Sequence, residues 1–374
     1  MNAHQFKQLI QYSPAFVVDM DQVLDNLKSL NQLRSHTDCK VLYSMKALPL
    51  SALLTGLTGQ MDGISVSSLN EARLAREVCG DQVNLHLTTP GLRPDEFLQI
   101  DALCSHISFN SLSQHIRYKD QTTASKGLRI NPKVSFADDE RYDPCRRYSK
   151  LGIDIQDLST GLPEDIEGLH LHTVFGQTDF NPLRQTLNIL QPWLSQQTQL
   201  KWLNLGGGYL FHAIADLRPL ISLIQQLNQQ GIPHIYLEPG KALVGNAGYV
   251  LTTVLDKFFS DGKTVLILDT SVNHHPEVFE YQRKPILLEE EPQGSQSAIL
   301  AGSTCLAGDL FGEYRFKQLP EVGEKLLFAE VGAYSLIKAN RFNGYALPAV
   351  YCWQQDEVSL LNKDEYADYR LQWY

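Results

Sequence analysis

The residues with chemistry to offer begin with a lysine. In Val41-Leu42-Tyr43-Ser44-Met45-Lys46-Ala47 an ammonium group closes an apolar run, where a charge is costly to desolvate unless it has a partner or a task. Desolvation lowers a lysine's pKa and frees its amine to form a Schiff base with a carbonyl carbon. A lysine stem lying along an apolar rim with its head in water fits the same pattern. Asn204-Leu205-Gly206-Gly207-Gly208-Tyr209 follows another apolar run. Its glycines can bring backbone N–H groups close to a phosphate, or can simply make a tight turn. Phe211 holds the last position of G-x-G-x-x-G and no G-K-[ST] follows, which argues against dinucleotide and P-loop fingerprints.

His170 and His172 lie two apart on a strand-like run and so share a face. They could begin a hydrolytic metal site, lie flat against a planar cofactor, or be core histidines. A metal site needs further ligands at later strand ends, where glycines and Glu238 stand instead, so no metal is expected. In Glu238-Pro239-Gly240-Lys241 the carboxylate could keep a heteroaromatic nitrogen protonated, or could cap a helix or pair on the surface. Gly302-Ser303-Thr304-Cys305-Leu306-Ala307-Gly308-Asp309 sets a cysteine among small residues in a turn, a setting for a proton donor or nucleophile and equally for an inert thiol.

These residues need elements to position them. Ala15-Phe16-Val17-Val18 reads as a strand, and Asp21 as the N-cap of a helix carrying Val23, Leu24, Leu27, Leu30 and Leu33. Eight short apolar runs then recur: Val41 to Met45, Gly63 to Val66, Val83 to Leu87, His106 to Phe109, Gly127 to Ile130, Leu169 to Thr173, Trp202 to Leu205 and Ile235 to Leu237. Helical stretches such as Leu69 to Val78 and Pro182 to Leu194 separate them. The alternation suits a (β/α)8 barrel over residues 22–243, or a doubly wound open sheet. Lys46, Ser65, Asn110, Asn131, His172, Gly206 to Gly208 and Glu238 all lie at or near run ends, which favours the barrel, whose function gathers at the C-terminal ends of many strands. After Gly248 the runs Tyr249 to Leu255, Thr264 to Leu268, Lys325 to Ala329 and Ala349 to Trp353 predict a mainly β domain made of residues 1–21 and 244–374. Leu287 to Ser297 reads as a solvated loop.

Length and composition set the outer bounds. At roughly 150 residues per domain, 374 residues make about two and a half domains. An apolar share of 43% with 20% charged residues is that of a folded globular protein. The net charge of -10 disfavours nucleic acid and anionic membranes as partners. Six scattered cysteines without C-x-x-C suggest a reducing compartment, and the polar start of the chain lacks the apolar segment of a secretion signal. A cytoplasmic location is expected.

Taken together, these segments resemble the fold-type III pyridoxal phosphate decarboxylases, which share an alanine-racemase-like barrel with a β domain. The branch most similar acts on carboxynorspermidine and carboxyspermidine. The likeness runs from Pro14-Ala15-Phe16-Val17-Val18-Asp19 to Asn343-Gly344-Tyr345, through Ile107 to Gln114, Arg129-Ile130-Asn131-Pro132, Tyr142-Asp143-Pro144-Cys145, Gly168 to Thr173 and Thr304 to Asp309. It implies pyridoxal 5'-phosphate as cofactor, bound to Lys46, with His172 stacked on its ring, Glu238 on the pyridine nitrogen and Ser65 nearby. Gly206, Gly207, Gly208, Gly240, Lys241 and Tyr334 would serve the cofactor, chiefly its phosphate. It further implies a homodimer in which Cys305 and Asp309 reach across the interface, Cys305 to protonate the carbanion. Lys241, Glu277, Asp309 and Glu313 are the expected substrate contacts. The expected reaction releases carbon dioxide from a carboxylated polyamine in spermidine or polyamine biosynthesis. Alternatives are a carboxy-aminopropyl or diamino acid substrate with a neutral or anionic tail, and an amino-acid racemase. Two departures bear on the tail. After His-Thr the family continues with Cys and Glu, where Phe175 and Gly176 stand, and Glu-Pro-Gly-Glu-Ala becomes Glu238-Pro239-Gly240-Lys241-Ala242. Each removes a carboxylate.

Overall fold

A computed structural model describes residues 3–137 and 139–374. Its strands, in chain order, are β1 Ala15–Asp19, β2 Lys40–Ser44, β3 Gly63–Val66, β4 Asn84–Thr88, β5 His106–Phe109, β6 Ser125–Asn131, β7 Ile153–Asp154, β8 Gly168–Leu171, β9 Trp202–Asn204, β10 His234–Leu237, β11 Gly248–Ser260, β12 Lys263–Leu268, β13 Ile286–Leu287, β14 Gln296–Ala301, β15 Leu310–Phe316, β16 Lys325–Ala329, β17 Ala349–Gln354 and β18 Glu357–Asn362. The chain divides into two compact units, one running up to Asp25 and resuming at Leu243–Tyr374, the other Asn26–Ala242.

The second unit is a closed parallel barrel. Its strands follow the order β5-β4-β3-β2-β10-β9-β8-β6, and β6 returns to pair with β5, Phe109 opposite Leu128. The two-residue β7 only lengthens the edge at Ile130 and Asn131. Strands covered by helices outside and packed inside have no solvated face, so β3 and β8 are buried at every residue and read as unbroken runs. The helix Asn181–Leu194 carries Pro182 in its first turn, where a missing N–H costs nothing, and buries Leu183, Leu187, Leu190 and Leu194 along one stripe. Two other helices open with reciprocal caps. Ser68 Oγ accepts from Glu71 N while Glu71 Oε2 accepts from Ser67 N at 2.7 Å. Ser111 Oγ accepts from Gln114 N while Gln114 Oε1 accepts from Asn110 N at 2.8 Å.

Aromatic rings fill the end of the barrel where the strands begin. Trp202, the first residue of β9, occupies space that a Cβ on Gly127 or Gly168 would invade at 2.3 and 1.9 Å. His86 and His106 stack at 3.8 Å, and each lies edge-on or tilted to Trp202 and Tyr236. That plug leaves the opposite end for chemistry.

In the other unit the sheet runs β15-β14-β12-β11-β1-β17-β18, with β16 joining β11 to β13. β1 lies inside it, antiparallel to β11 with Phe16 opposite Val250, and parallel to β17 with Phe16 opposite Val350. Phe6, Ile10, Val17, Leu251, Leu327, Tyr351 and Trp353 form its core, with Phe6 edge-on to Trp353 at 5.4 Å. Two local expectations need correction. β1 ends at Asp19 and the helix Met20–His36 starts at once, so the capping oxygen is Asp19 Oδ1, which accepts from Gln22 N at 3.0 Å. Asp21 instead accepts from Gln355 N. The Leu287 to Ser297 loop is shorter than expected, because β13 takes Leu287 and β14 starts at Gln296. Among the described residues no helix is long and apolar enough to cross a membrane.

Candidate active site

β2 ends at Ser44 and the chain enters a single 3-10 turn, Met45–Ala47, which carries Lys46. Pro49 forces its predecessor out of helical space, and Leu48 is extended at φ -162, ψ 103, so the turn cannot continue. Tyr43 OH donates to Leu48 O at 2.9 Å and pins it. The turn is braced by β10, since Ser44 N donates to Pro239 O at 2.9 Å, while a Cβ on Gly240 would stand 3.1 Å from Ala47 Cβ. Met45 and Ala47 point into the core while the Lys46 side chain keeps open access. Protein surrounds the amine closely enough to lower its pKa by desolvation, against the charges of Glu238 and Glu71 and with help from Arg129.

Glu238 directly follows β10 and is buried. Its Oε1 accepts from Asn204 Nδ2 at 2.8 Å and its Oε2 meets His170 Nε2 at 3.1 Å. Burial works to raise its pKa, but the hydrogen bond with His170 and the charge of Lys46 hold it well below the usual carboxylate range, so an ionised carboxylate stands in the barrel. Among the described residues His170 Nδ1 has no hydrogen-bond partner, which fits a neutral ring donating from Nε2.

His172 is one residue past the end of β8. Its ring lies 4° from parallel with that of His170 at 6.5 Å, and its Nδ1 accepts from Gly207 N at 3.2 Å. Burial, with the charges of Lys46 and Arg129, depresses its pKa well below 6.5, so it offers a flat uncharged face. The three glycines are demanded by the backbones on either side. A Cβ would come within 2.2 Å of Leu171 O at Gly206, of Glu238 O at Gly207 and of Val174 O at Gly208. Gly206 and Gly208 also have φ of +71 and +94. Ser65 ends up beside Ser44 in the β2–β3 register. Lys241 Nζ rests 5.6 Å from the centroid of Phe175, which stacks on Tyr142 at 5.3 Å.

Lys46, Ser65, His172, Gly206 to Gly208, Glu238, Gly240 and Lys241 thus occupy one end of the barrel. Asn110 and Asn131 are strand-end residues of another kind. Asn110 bonds Lys150 O and Gly152 N, and Asn131 bonds Leu151 O and Lys133 N, so both stitch loops. Arg129, on β6, is a site residue that sequence reasoning missed. It is buried, and burial lowers its pKa to about 10 against the attraction of Glu238. Its placement mid-strand in an apolar run, and in the Arg129-Ile130-Asn131-Pro132 segment that carries the family likeness, were the signals for it.

The remaining residues lie in the β unit. Cys305 is exposed in the turn before β15, while Cys39, Cys104, Cys145 and Cys352 are buried, and burial pushes Cys104 and Cys145 up to about 12. Tyr334 follows β16 at φ +61 with its hydroxyl pKa raised by burial, and Glu277 begins a short helix, buried. Two expected substrate contacts have other occupations. The Asp309 carboxylate accepts from Val272 N at 2.8 Å, from Thr304 N at 3.1 Å and from Thr304 Oγ1, which makes it a loop organiser. Glu313 is exposed on β15 and bound to Lys263 Nζ and Ser297 Oγ.

An accessible amine of lowered pKa, an ionised buried carboxylate, a flat neutral imidazole and a glycine turn are the donor set that pyridoxal phosphate requires. The chain belongs to the pyridoxal-dependent decarboxylases, matching the family described as "Pyridoxal-dependent decarboxylase, C-terminal sheet domain" over residues 15–332. Its cofactor is pyridoxal phosphate and its reaction a decarboxylation. It is 35% identical to carboxyaminopropylagmatine decarboxylase of Synechocystis, over 96% of this chain and 94% of that protein. It is 31% identical to carboxynorspermidine/carboxyspermidine decarboxylase of Campylobacter jejuni, over 98% of this chain and 99% of that one. The crystal structure of carboxynorspermidine decarboxylase complexed with norspermidine, from Campylobacter jejuni, superposes with a TM-score of 0.89 at 29% identity, covering 97% of this chain and all of that one.

Proposed function

We propose that this enzyme removes the carboxylate from an amino acid made of a carboxylated aminopropyl arm on a polyamine or agmatine-like tail. We further propose that it does so as a cytoplasmic homodimer in polyamine biosynthesis. The observation that carries the reading is the meeting of Lys46, His172 and Glu238 at one barrel end, in a chain whose relatives bear such substrates in their names. When bound, pyridoxal phosphate supplies the electron sink for the bond to the departing carboxylate. Lys46, with its amine held toward the free base, would hold the cofactor through its carbonyl carbon. Glu238, kept ionised, holds a proton on the ring nitrogen. His172 would cover a ring face without adding charge, and the Gly206 to Gly208 turn would hold the phosphate. Cys305 of a second copy gives a proton to the carbon left behind.

A second reading concerns the tail. Phe175 and Tyr142 present stacked aromatic faces where the family carries a carboxylate nearby, and a planar guanidinium packs on such faces better than a compact ammonium does. The separating experiment scores carbon dioxide release from carboxyaminopropylagmatine, carboxynorspermidine, carboxyspermidine, diaminopimelate, lysine and ornithine. A preference for the first supports the guanidinium reading, and preference for the next two the polyamine reading. Turnover confined to the last three contradicts both.

A further inference from the structure

Cys305 sits exposed in a turn built of glycine, serine, threonine and alanine, residue types that do little to aim a side chain. Its backbone is nevertheless fixed from two sides. Asp309 gathers Thr304 and Val272 beneath the turn, and Tyr345 OH donates to Ser303 O at 2.7 Å. The bond to Cys305 itself comes from Asn343, whose Oδ1 accepts from Cys305 N at 2.8 Å. Asn343 is left-handed, at φ 56 and ψ 14, and Gly344 follows at φ +76. Asparagine tolerates that region better than other non-glycine residues. The turn bearing Asn343 is itself anchored, because Arg341 Nε donates to Asp364 Oδ2 at 3.0 Å and Leu347 N donates to the same oxygen.

We infer that Asn343 is a positioning residue for Cys305, fixing the backbone from which the thiol delivers its proton. The inference rests on the decarboxylase reading above. In that step the bond from the α-carbon to the carboxylate breaks, carbon dioxide leaves, and the electron pair left behind takes the thiol proton to form a C–H bond. The thiolate then regains a proton from water. A donor misplaced by about 1 Å costs up to about a hundredfold in rate, so a hydrogen bond that only holds backbone can still matter to kcat.

Asn343→Gly keeps the left-handed turn and removes the acceptor, whereas Asn343→Asp keeps an acceptor in place. For Asn343→Gly the expected result is a kcat about tenfold to a hundredfold lower with KM within about twofold. Amine formed in deuterated water then loses its single-handed label, and iodoacetamide alkylates Cys305 several-fold faster. The melting temperature stays at the wild-type value, and Asn343→Asp recovers most of the rate. If Asn343→Gly fails to fold, Asn343→Ser is read in the same way. Wild-type kcat, label and alkylation rate in Asn343→Gly would overturn the inference. A wild-type enzyme that releases no carbon dioxide from any carboxy-aminopropyl substrate overturns the substrate reading instead, and the alkylation comparison alone then decides whether Asn343 holds Cys305.

Discussion

Lys241 is where a single residue bears most on what the enzyme accepts. It stands where the family places a carboxylate, and its ammonium lies over Phe175 at the chemical end of the barrel. A cationic tail arriving there meets like charge, while Phe175 remains attractive to a cation that displaces Lys241. Lys241→Glu is expected to raise kcat/KM for carboxynorspermidine and carboxyspermidine several-fold, the worth of a partly exposed ion pair of about 1 kcal/mol. Steady-state kinetics on both substrates checks this, and the visible absorbance of bound cofactor is expected to remain. Loss of that absorbance would place Lys241 at the phosphate. Glu238 differs, since its charge is locked by Asn204 and His170, which fits the proposed role toward the cofactor rather than the substrate.

Among the elements, the turn after β9 is the most constrained, because the backbones of β8 and β10 close on it. Gly207→Ala would drive a methyl to 2.2 Å from Glu238 O, a backbone oxygen that cannot swing away. Unfolding in urea is expected to show a loss of about 1–3 kcal/mol, and dialysis a faster loss of cofactor. The same packing explains what was legible beforehand. The eight apolar runs mark the barrel strands because strands buried on both faces carry no alternation to confuse the reading. β14 and β15 escaped notice because exposed and buried positions mix along them, and β18 because none of its residues is buried. Arg129 was missed because a charge within a strand reads as surface until its neighbours are known. For Asp309 and Glu313 the sequence shows a carboxylate but not the donors that it meets in the fold.

For the whole molecule, buried neutral histidines couple stability to pH. His106 and His274 are lowered to about 4, chiefly by burial, and His86 and His172 are also depressed. Their unfolded pKa is near 6.5, so between about pH 6.5 and pH 4 the unfolded chain binds more protons than the folded one. Stability therefore falls as pH drops through that window, by up to about 1.4 kcal/mol per pH unit for each such group. Asp19 and Glu71, raised by burial, oppose the trend on its acid side. Urea midpoints measured from pH 7 to pH 4 are expected to fall, and less steeply in His106→Phe, which keeps the aromatic stack beside Trp202. On the proposed mechanism, function at this scale depends on one lysine accepting the cofactor at the open end of the barrel. The most direct measurement follows visible absorbance and carbon dioxide release together in wild-type and Lys46→Ala enzyme supplied with pyridoxal phosphate and a carboxy-aminopropyl substrate. Carbon dioxide release is expected in the wild type and not in Lys46→Ala, and absorbance that survives removal of free pyridoxal phosphate and substrate is expected in the wild type alone; a Lys46→Ala enzyme that keeps that absorbance and releases carbon dioxide would contradict the account.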